Sequence, residues 1–113
     1  MNWNALENAD TLEEIKEKSN QHPVLIFKHS SRCGISSMAL NRLERAWQEQ
    51  EMSHLITYFL DLVRYRQVSE AVAQTFGVQH QSPQVLVIKD GQCIYDNSHM
   101  GINYTEIKQQ AKA

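Results

Sequence analysis

The segment VLIFKHSSRCGISSMALNRLERAW, residues 24–47, contains the change of periodicity that decides the fold. Its first four residues form a compact apolar run, which is typical of a buried strand. Apolar residues then recur at helical spacing from residue 35 to about residue 50. A cysteine, Cys33, lies between the two patterns. The segment therefore predicts a buried strand followed by a long helix, with a thiol at the helix start.

The same two patterns recur along the rest of the chain and predict the remaining elements. These are a short edge strand near Trp3 and Leu6, helices at 8–19, 67–76 and after Asn103, a strand at 55–62, and two β-rich runs around Asp90-Gly91. Asp-Gly between two such runs is a strong hairpin signal. The order β-α-β-α-β-α-β-β-α predicts an α/β fold with a central mixed sheet, flanking helices, and a C-terminal hairpin and helix.

Three predicted helix ends have recognisable signatures. Asp10 and Asn103 are each followed three residues later by a glutamate, which is the spacing of a capping box. Gly77 follows the last apolar residue of the helix at 67–76 and is expected to end it.

Size and composition narrow the class of protein. The chain has 113 residues, the length of one domain, and residues 1–113 are expected to form a single domain. The formal net charge is −2 and no basic block occurs, so a nucleic-acid partner is not indicated. No apolar run has the length of a membrane-spanning helix, and the first residues do not resemble a secretion signal. We therefore expect a cytoplasmic protein with no membrane partner.

Cys33 is the strongest candidate for chemistry. Unpaired N–H groups and the dipole at a helix start favour an anion, and the thiolate is the nucleophilic form of cysteine. Arg32 adjoins the thiol, Lys28 and His29 end the preceding strand, and no acidic residue occurs between residues 23 and 41. A positive local field is therefore expected. The alternative for Lys28 and Arg32 is that they only solvate an exposed loop, and His29 can simply be polar where the strand meets water.

The other polar and sulfur-containing residues leave alternatives open. Ser36 can be an ordinary polar residue of the first helical turn, or it can donate a hydrogen bond to the Cys33 thiolate. Since Ser36 cannot form a disulfide, a mixed disulfide on Cys33 needs a second thiol from elsewhere. Cys93, the only other cysteine, is expected to be a small apolar residue on the sheet. Cysteines and histidines lack zinc-ligand spacing, so no metal is expected.

The order of elements, the cysteine after the first central strand and the proline that opens the hairpin resemble the thioredoxin fold over nearly the whole chain. This resemblance implies that the bond before Pro83 is cis, that Pro83 faces Cys33, and that the Ser82 backbone pairs with bound substrate. Taken alone, Pro83 would be interpreted as a strand-entry proline.

A finer resemblance is to the monothiol bacilliredoxins, the bacillithiol-linked thioredoxin-like proteins of bacteria. FKHSSRCGISSMALNRLERAW carries most of it, and SPQVLVIKDG supports it. Gly34 departs from the Cys-Pro-Ile-Ser that is common in that family. The implied catalytic residues are Cys33 and Ser36, and the implied substrate-binding residues are Arg32, Gly34, Ile35, Ser82, Pro83, Lys28 and His29.

The resemblance also implies a reaction, removal of bacillithiol from protein mixed disulfides during oxidative stress. Cys33 would attack the bacillithiol sulfur, and Arg32 and Lys28 would attract the carboxylates of its malate group. Bacillithiol would be a co-substrate, with no bound cofactor. The implied partners are bacillithiolated client proteins, a low-molecular-weight thiol and a disulfide reductase.

Two other functions remain open at this point. Cys-Gly-Ile-Ser also resembles the Cys-Gly-Phe-Ser of monothiol glutaredoxins, which use glutathione and in some cases hold an iron–sulfur cluster. The chain lacks their Lys-Gly stretch before the cysteine and has DNSHMGI where they have a Gly-Gly-x-Asp segment. The other alternative is a non-catalytic thioredoxin-like binding module, for which Cys33 would be unreactive.

Overall fold

The computed structural model describes residues 1–112. Its strands are β1 (Asn4–Ala5), β2 (Val24–His29), β3 (Ile56–Asp61), β4 (Gln84–Lys89) and β5 (Gln92–Ser98). Its helices are α1 (Thr11–Lys18), α2 (Gly34–Ala46), α3 (Glu49–Met52), α4 (Arg66–Phe76) and α5 (Tyr104–Gln110), and a 3-10 turn covers His99–Gly101. None of the helices within this range has the length and apolar character needed to cross a bilayer.

The strands form one mixed sheet in the spatial order β1-β3-β2-β4-β5. Strand β2 lies at its centre, parallel to β3 and antiparallel to β4. Strand β1 adds a two-residue parallel edge to β3, and β5 pairs antiparallel with β4 on the other side. All six residues of β2 are buried, as expected for a strand covered on both faces.

Helices cover both faces of the sheet. On one face, α1 and α4 pack on alternate residues of the central strands, and this core includes Leu12, Ile15, Val24, Ile26, Val68, Val72, Leu86 and Ile88. On the other face, α2, α3 and α5 pack on the intervening residues, and this core includes Leu25, Phe27, Ala39, Leu43, Met52, Val85, Val87 and Ile107. Side chains of a strand point to opposite faces in turn, so neighbouring residues of β2 belong to different cores. The predicted mixed sheet with flanking helices is confirmed.

The predicted helix over residues 35–50 is confirmed up to Ala46 and is wrong at residues 47 and 48, where it is broken. Helix α2 ends at Ala46, and Trp47 and Gln48 take extended conformations before α3 begins. The Trp47 ring packs edge-on against Tyr104 of α5, with 5.7 Å between ring centroids. The break allows this aromatic contact and places Met52 of α3 in the core. Long-range packing therefore overrides a helical pattern that contains no local stop signal.

The turns that the sequence predicts most strongly are present. Asp90 and Gly91 have φ values of 52° and 75°, the left-handed conformations of a tight hairpin turn. Gly77 ends α4 with a φ of 65°. The hairpin turn is held to the end of α1, because the Gly91 N–H donates to Ser19 Oγ at 2.8 Å and the Asp90 N–H donates to Ser19 O at 2.9 Å.

The two capping boxes have different outcomes. Asn103 is extended, and its Oδ1 accepts a hydrogen bond from the Glu106 N–H at 2.9 Å, so this cap is confirmed. Asp10 already has helical dihedral angles and makes no capping hydrogen bond with its side chain, so the predicted box at α1 is wrong. Asn8 Oδ1 instead accepts from the Asp10 N–H at 2.9 Å, which moves the capping role two residues upstream.

This difference gives a matched test of stability. Asn103→Ala should lower the free energy of unfolding by about 1 kcal/mol, because it removes a formed cap. Asp10→Ala should lower it by less than about 0.5 kcal/mol, since no cap bond is lost. Urea unfolding followed by circular dichroism would measure both. Equal losses in the two variants would contradict the assignment of the caps.

Candidate active site

Cys33 occupies the N-cap of α2, with extended dihedral angles of φ −116° and ψ 118°. Its N–H donates to Ser30 O at 3.1 Å, and its carbonyl accepts from the Ser37 N–H at 3.2 Å, so the turn before α2 is closed around the cysteine. The residue is half-exposed. The first turn of α2 contains no acidic side chain. The thiol therefore lies where helix N–H groups and the helix dipole favour negative charge, as the sequence predicts.

The surface beside the thiol is open. Arg32, Gly34 and Ile35 are exposed, with half of the Ile35 surface accessible at 50%. A methyl group built on Gly34 would meet no atom within 4 Å, so the glycine leaves empty space where the related Cys-Pro-Ile-Ser sequence has a ring. Three of the predicted substrate-binding residues thus surround Cys33 on the surface. Their contacts with substrate stay a prediction.

Ser36 is fully buried and points into the protein. Its Oγ accepts a hydrogen bond from the Ser30 N–H at 3.0 Å and lies 2.7 Å from His29 Nδ1. Within residues 1–112, no hydrogen bond joins Ser36 to Cys33. Ser36 therefore positions the start of α2 against the end of β2. Its donation of a hydrogen bond to the Cys33 thiolate stays a prediction.

His29 lies under α2 and not at the water-exposed strand end that the sequence suggested. It is 8% exposed, and its ring packs against those of Phe27 and Phe59, at centroid distances of 6.4 Å and 5.4 Å. Burial lowers the pKa of His29, and the carboxylates of Asp61 and Glu44 oppose this shift. A neutral imidazole has one donor and one acceptor nitrogen, so the position of its proton decides whether the Ser36 hydroxyl donates to His29 or is free to turn away.

Lys28 is the clearest correction to the sequence analysis. It was expected beside Cys33, either on an exposed loop or attracting substrate carboxylates, but it is fully buried and points to the opposite face of the sheet. Its Nζ donates to Ser69 O at 3.1 Å and to His80 Nδ1 at 3.2 Å. Burial lowers the pKa of Lys28 to about 8. No ion pair joins Lys28 to a carboxylate in the part of the chain that the structure describes.

The loop before β4 carries the second predicted half of the site. The bond between Ser82 and Pro83 is cis, as the thioredoxin resemblance implies, and Pro83 is buried at the start of β4. The Pro83 carbonyl accepts from the His99 N–H at 3.1 Å. Ser82 Oγ is buried and has no hydrogen-bond partner among the described residues. Because β4 runs antiparallel to β2, the loop before β4 lies beside the carboxyl end of β2, from which the chain continues to Cys33.

Buried polar side chains hold this loop. Gln84 pairs with Lys28 across β2 and β4; its amide N–H donates to Gln79 O at 3.0 Å, and its amide oxygen accepts from the Gln81 N–H at 3.4 Å. Lys28 holds the same loop through His80. The sequence alone does not predict that Gln84, His80 and Ser69 support the site. The alternation of a strand that is buried on both faces could have placed Lys28 opposite His29, but nothing local in the sequence indicates its partners.

Cys93 lies at the other end of the sheet. It pairs with Ile88 of β4, which in turn pairs with Val24 at the first residue of β2. The five-residue rise of β2 is about 16 Å, whereas a disulfide needs Cα atoms within about 7 Å. Cys93 Sγ donates to Tyr95 O at 3.2 Å, and burial raises the pKa of its thiol. Cys93 is therefore a half-buried sheet residue that cannot resolve a disulfide on Cys33 of the same molecule.

Comparison with known proteins identifies the family. The family model described as monothiol bacilliredoxin BrxC matches residues 4–107. The chain belongs to the monothiol bacilliredoxin family. Its structure is similar to that of a thioredoxin-fold protein described as a candidate oxidoreductase, with 26% identity, a TM-score of 0.80, and coverage of 96% of this chain and 92% of the other.

Two thioredoxins show the same fold at lower identity. Thioredoxin Mala s 13 of Malassezia sympodialis is 16% identical with a TM-score of 0.76, and the match covers 99% of this chain and 92% of that one. Fasciola hepatica thioredoxin is 19% identical with a TM-score of 0.69, and the match covers 95% and 94%. The thioredoxin-like fold predicted for this bacilliredoxin is thus confirmed. Family and fold together indicate a role in thiol redox chemistry.

The buried ammonium of Lys28 predicts an unusual dependence of stability on pH. Its folded pKa of about 8 lies below the ordinary value of 10.5, so between these values the unfolded chain binds more protons and stability rises with pH. Lys28→Met should remove this rise and should stabilise the protein at pH 7 by about 1–3 kcal/mol, because it removes the cost of burying an unpaired ammonium. The measurement is urea unfolding of both proteins from pH 7 to 10. A difference between them that does not shrink with pH would contradict the prediction.

Proposed function

We propose that this bacilliredoxin is a monothiol thiol–disulfide oxidoreductase that removes bacillithiol from protein mixed disulfides through Cys33. The observation that carries the proposal is the half-exposed Cys33 thiol at the N-terminus of α2, with no other thiol of the described chain in reach. Family membership supports the choice of bacillithiol. The proposed partners are bacillithiolated client proteins, the low-molecular-weight thiol itself and a disulfide reductase, in the cytoplasm where thiols are kept reduced.

The proposed reaction has two exchange steps. In the first, the Cys33 thiolate attacks the bacillithiol sulfur of the mixed disulfide. A disulfide forms between Cys33 and bacillithiol, the bond to the client sulfur breaks, and the client leaves as a thiolate that takes a proton from water. In the second, the thiolate of another bacillithiol attacks the adduct. Oxidised bacillithiol leaves, Cys33 is free again, and bacillithiol has supplied the two electrons.

Each residue of the site has a role in this proposal. The N–H groups at the start of α2 and the exposed Arg32 favour the Cys33 thiolate. The Ser82 backbone, before the cis Pro83, would pair with the client segment that carries the disulfide. Ser36 occupies the position of a second thiol in a Cys-x-x-Cys pair. No thiol at position 36 can therefore displace the adduct from Cys33, and an external thiol is needed to release it.

Intact mass spectrometry tests the proposal. Purified protein mixed with oxidised bacillithiol should gain one bacillithiol, and reduced bacillithiol should remove it. Cys33→Ser should not gain the adduct, whereas the matched Cys93→Ser should gain it normally because Cys93 lies far from the site. Equal or faster uptake from oxidised glutathione would contradict the choice of bacillithiol and favour a glutaredoxin-like function. An unreactive Cys33 would favour a binding module.

Ser36→Cys gives a second prediction for the same reaction. A thiol three residues after Cys33 restores the spacing of a Cys-x-x-Cys pair and can attack the adduct from within the molecule. The variant should lose bacillithiol and lose two hydrogens on forming an internal disulfide. Ser36→Ala, the control, should keep the adduct until external thiol is added. Mass spectrometry of alkylated protein separates these species, and a lasting adduct on Ser36→Cys would show that position 36 cannot reach Cys33.

A further inference from the structure

A second polar site lies, like Cys33, at the carboxyl end of strand β2. It is a cavity of 270 Å³ lined by Leu62, Arg66, Ser69, Glu70 and His80. The Leu62 N–H donates to the carbonyl of His29, the last residue of β2, at 3.0 Å. His80 is the first residue of the segment 80–83, which ends at Pro83. The cavity therefore opens beyond the carboxyl ends of β2 and β3, on the α4 side, which is where ligands bind in many open α/β sheets.

The hydrogen bonds beneath the cavity determine which ring nitrogen of His80 carries the proton. A lysine ammonium has donors only, so His80 Nδ1 must accept from Lys28. Burial lowers the pKa of His80, and the charges of Lys28 and Arg66 lower it further, against the opposing effect of Glu70. The neutral ring then carries its proton on Nε2. Since His80 is exposed, this N–H is a donor that faces outward and is polarised by the ammonium behind it.

The charges around the cavity do not cancel. Arg66 is the first residue of α4, where the helix dipole adds a positive contribution. Lys28 places a second cation beneath His80 and Ser69. Glu70 is the carboxylate among the lining residues. Two cations against one anion leave an excess positive charge. A buried ammonium without a carboxylate partner is costly for a fold, so its position beside a cavity points to a ligand that is an anion.

We propose that this cavity binds a carboxylate of the low-molecular-weight thiol while that thiol reacts at Cys33, with Arg66 and the His80 Nε2–H as donors and Lys28 acting through His80. The inference rests on the proposed function and names the part of bacillithiol that is recognised, its malate group. A volume of 270 Å³ is at the small end of ligand pockets and suits a dicarboxylate group better than a segment of a client protein.

The experiment compares two disulfides that differ only in the malate. Oxidised bacillithiol is set against the disulfide of cysteinyl-glucosamine, which has the same thiol and sugar but no carboxylates. The rate of adduct formation on Cys33 is measured by quenched mass spectrometry. The wild-type protein should react roughly tenfold faster with the malate-bearing disulfide, as expected for a charge-assisted contact.

Variants locate the preference. Arg66→Gln and Lys28→Met should bring the ratio of the two rates close to one. Glu70→Gln should raise the ratio, because it removes the opposing charge. Arg64→Gln is the matched control: it removes the same charge two residues away, from an exposed side chain that does not line the cavity. Circular dichroism confirms that each variant is folded.

The outcomes separate the two proposals. Equal rates with both disulfides in the wild-type protein would overturn the carboxylate site and leave the oxidoreductase proposal standing. An equal loss of preference in Arg64→Gln and Arg66→Gln would also overturn it, because a general field and not the cavity would then be responsible. Absence of an adduct from either disulfide would reject the proposed function and this inference with it.

Discussion

Strand β2 is buried on both faces, and it nevertheless ends in two polar residues, Lys28 and His29. Because side chains alternate along a strand, the two must be satisfied in different layers of the molecule. His29 contacts Ser36 under α2, and Lys28 reaches Ser69 and His80 beside α4. The first contact sets the turn that presents Cys33. The second holds the loop that leads to the cis proline. Both halves of the site are thereby fixed from the end of one strand.

The serine at position 36 has a place in the fold that a thiol would fill less well. Its hydroxyl accepts a backbone N–H at the end of β2 and contacts a buried imidazole, and the weak acceptor of a cysteine serves such contacts poorly. The departure from a Cys-x-x-Cys pair therefore goes with a different arrangement of the interior. The position of the second cysteine of a Cys-x-x-Cys pair is here a serine whose hydrogen bonds support the turn that carries Cys33.

Local patterns predicted most of the fold, because strands, helices and tight turns depend largely on neighbours in sequence. The Asp90-Gly91 turn and the Asn103 cap are examples. Two of these predictions failed, one for a local reason and one for a long-range reason. Asp10 has the same spacing signature as Asn103 but already has helical dihedral angles and makes no cap bond, and Trp47 breaks a helix to reach an aromatic partner on α5. The position of Cys33 was predictable from its two flanking patterns.

Lys28 has a consequence for the evolution of this chain. A buried, desolvated ammonium opposes folding, so selection for stability alone should remove it early, and a long apolar side chain would fill the same space. Most proteins are only as stable as they need to be, and residues that cost stability persist where another property is under selection. If Lys28 serves the proposed carboxylate site, directed evolution for thermal stability and directed evolution for activity should favour different residues at position 28.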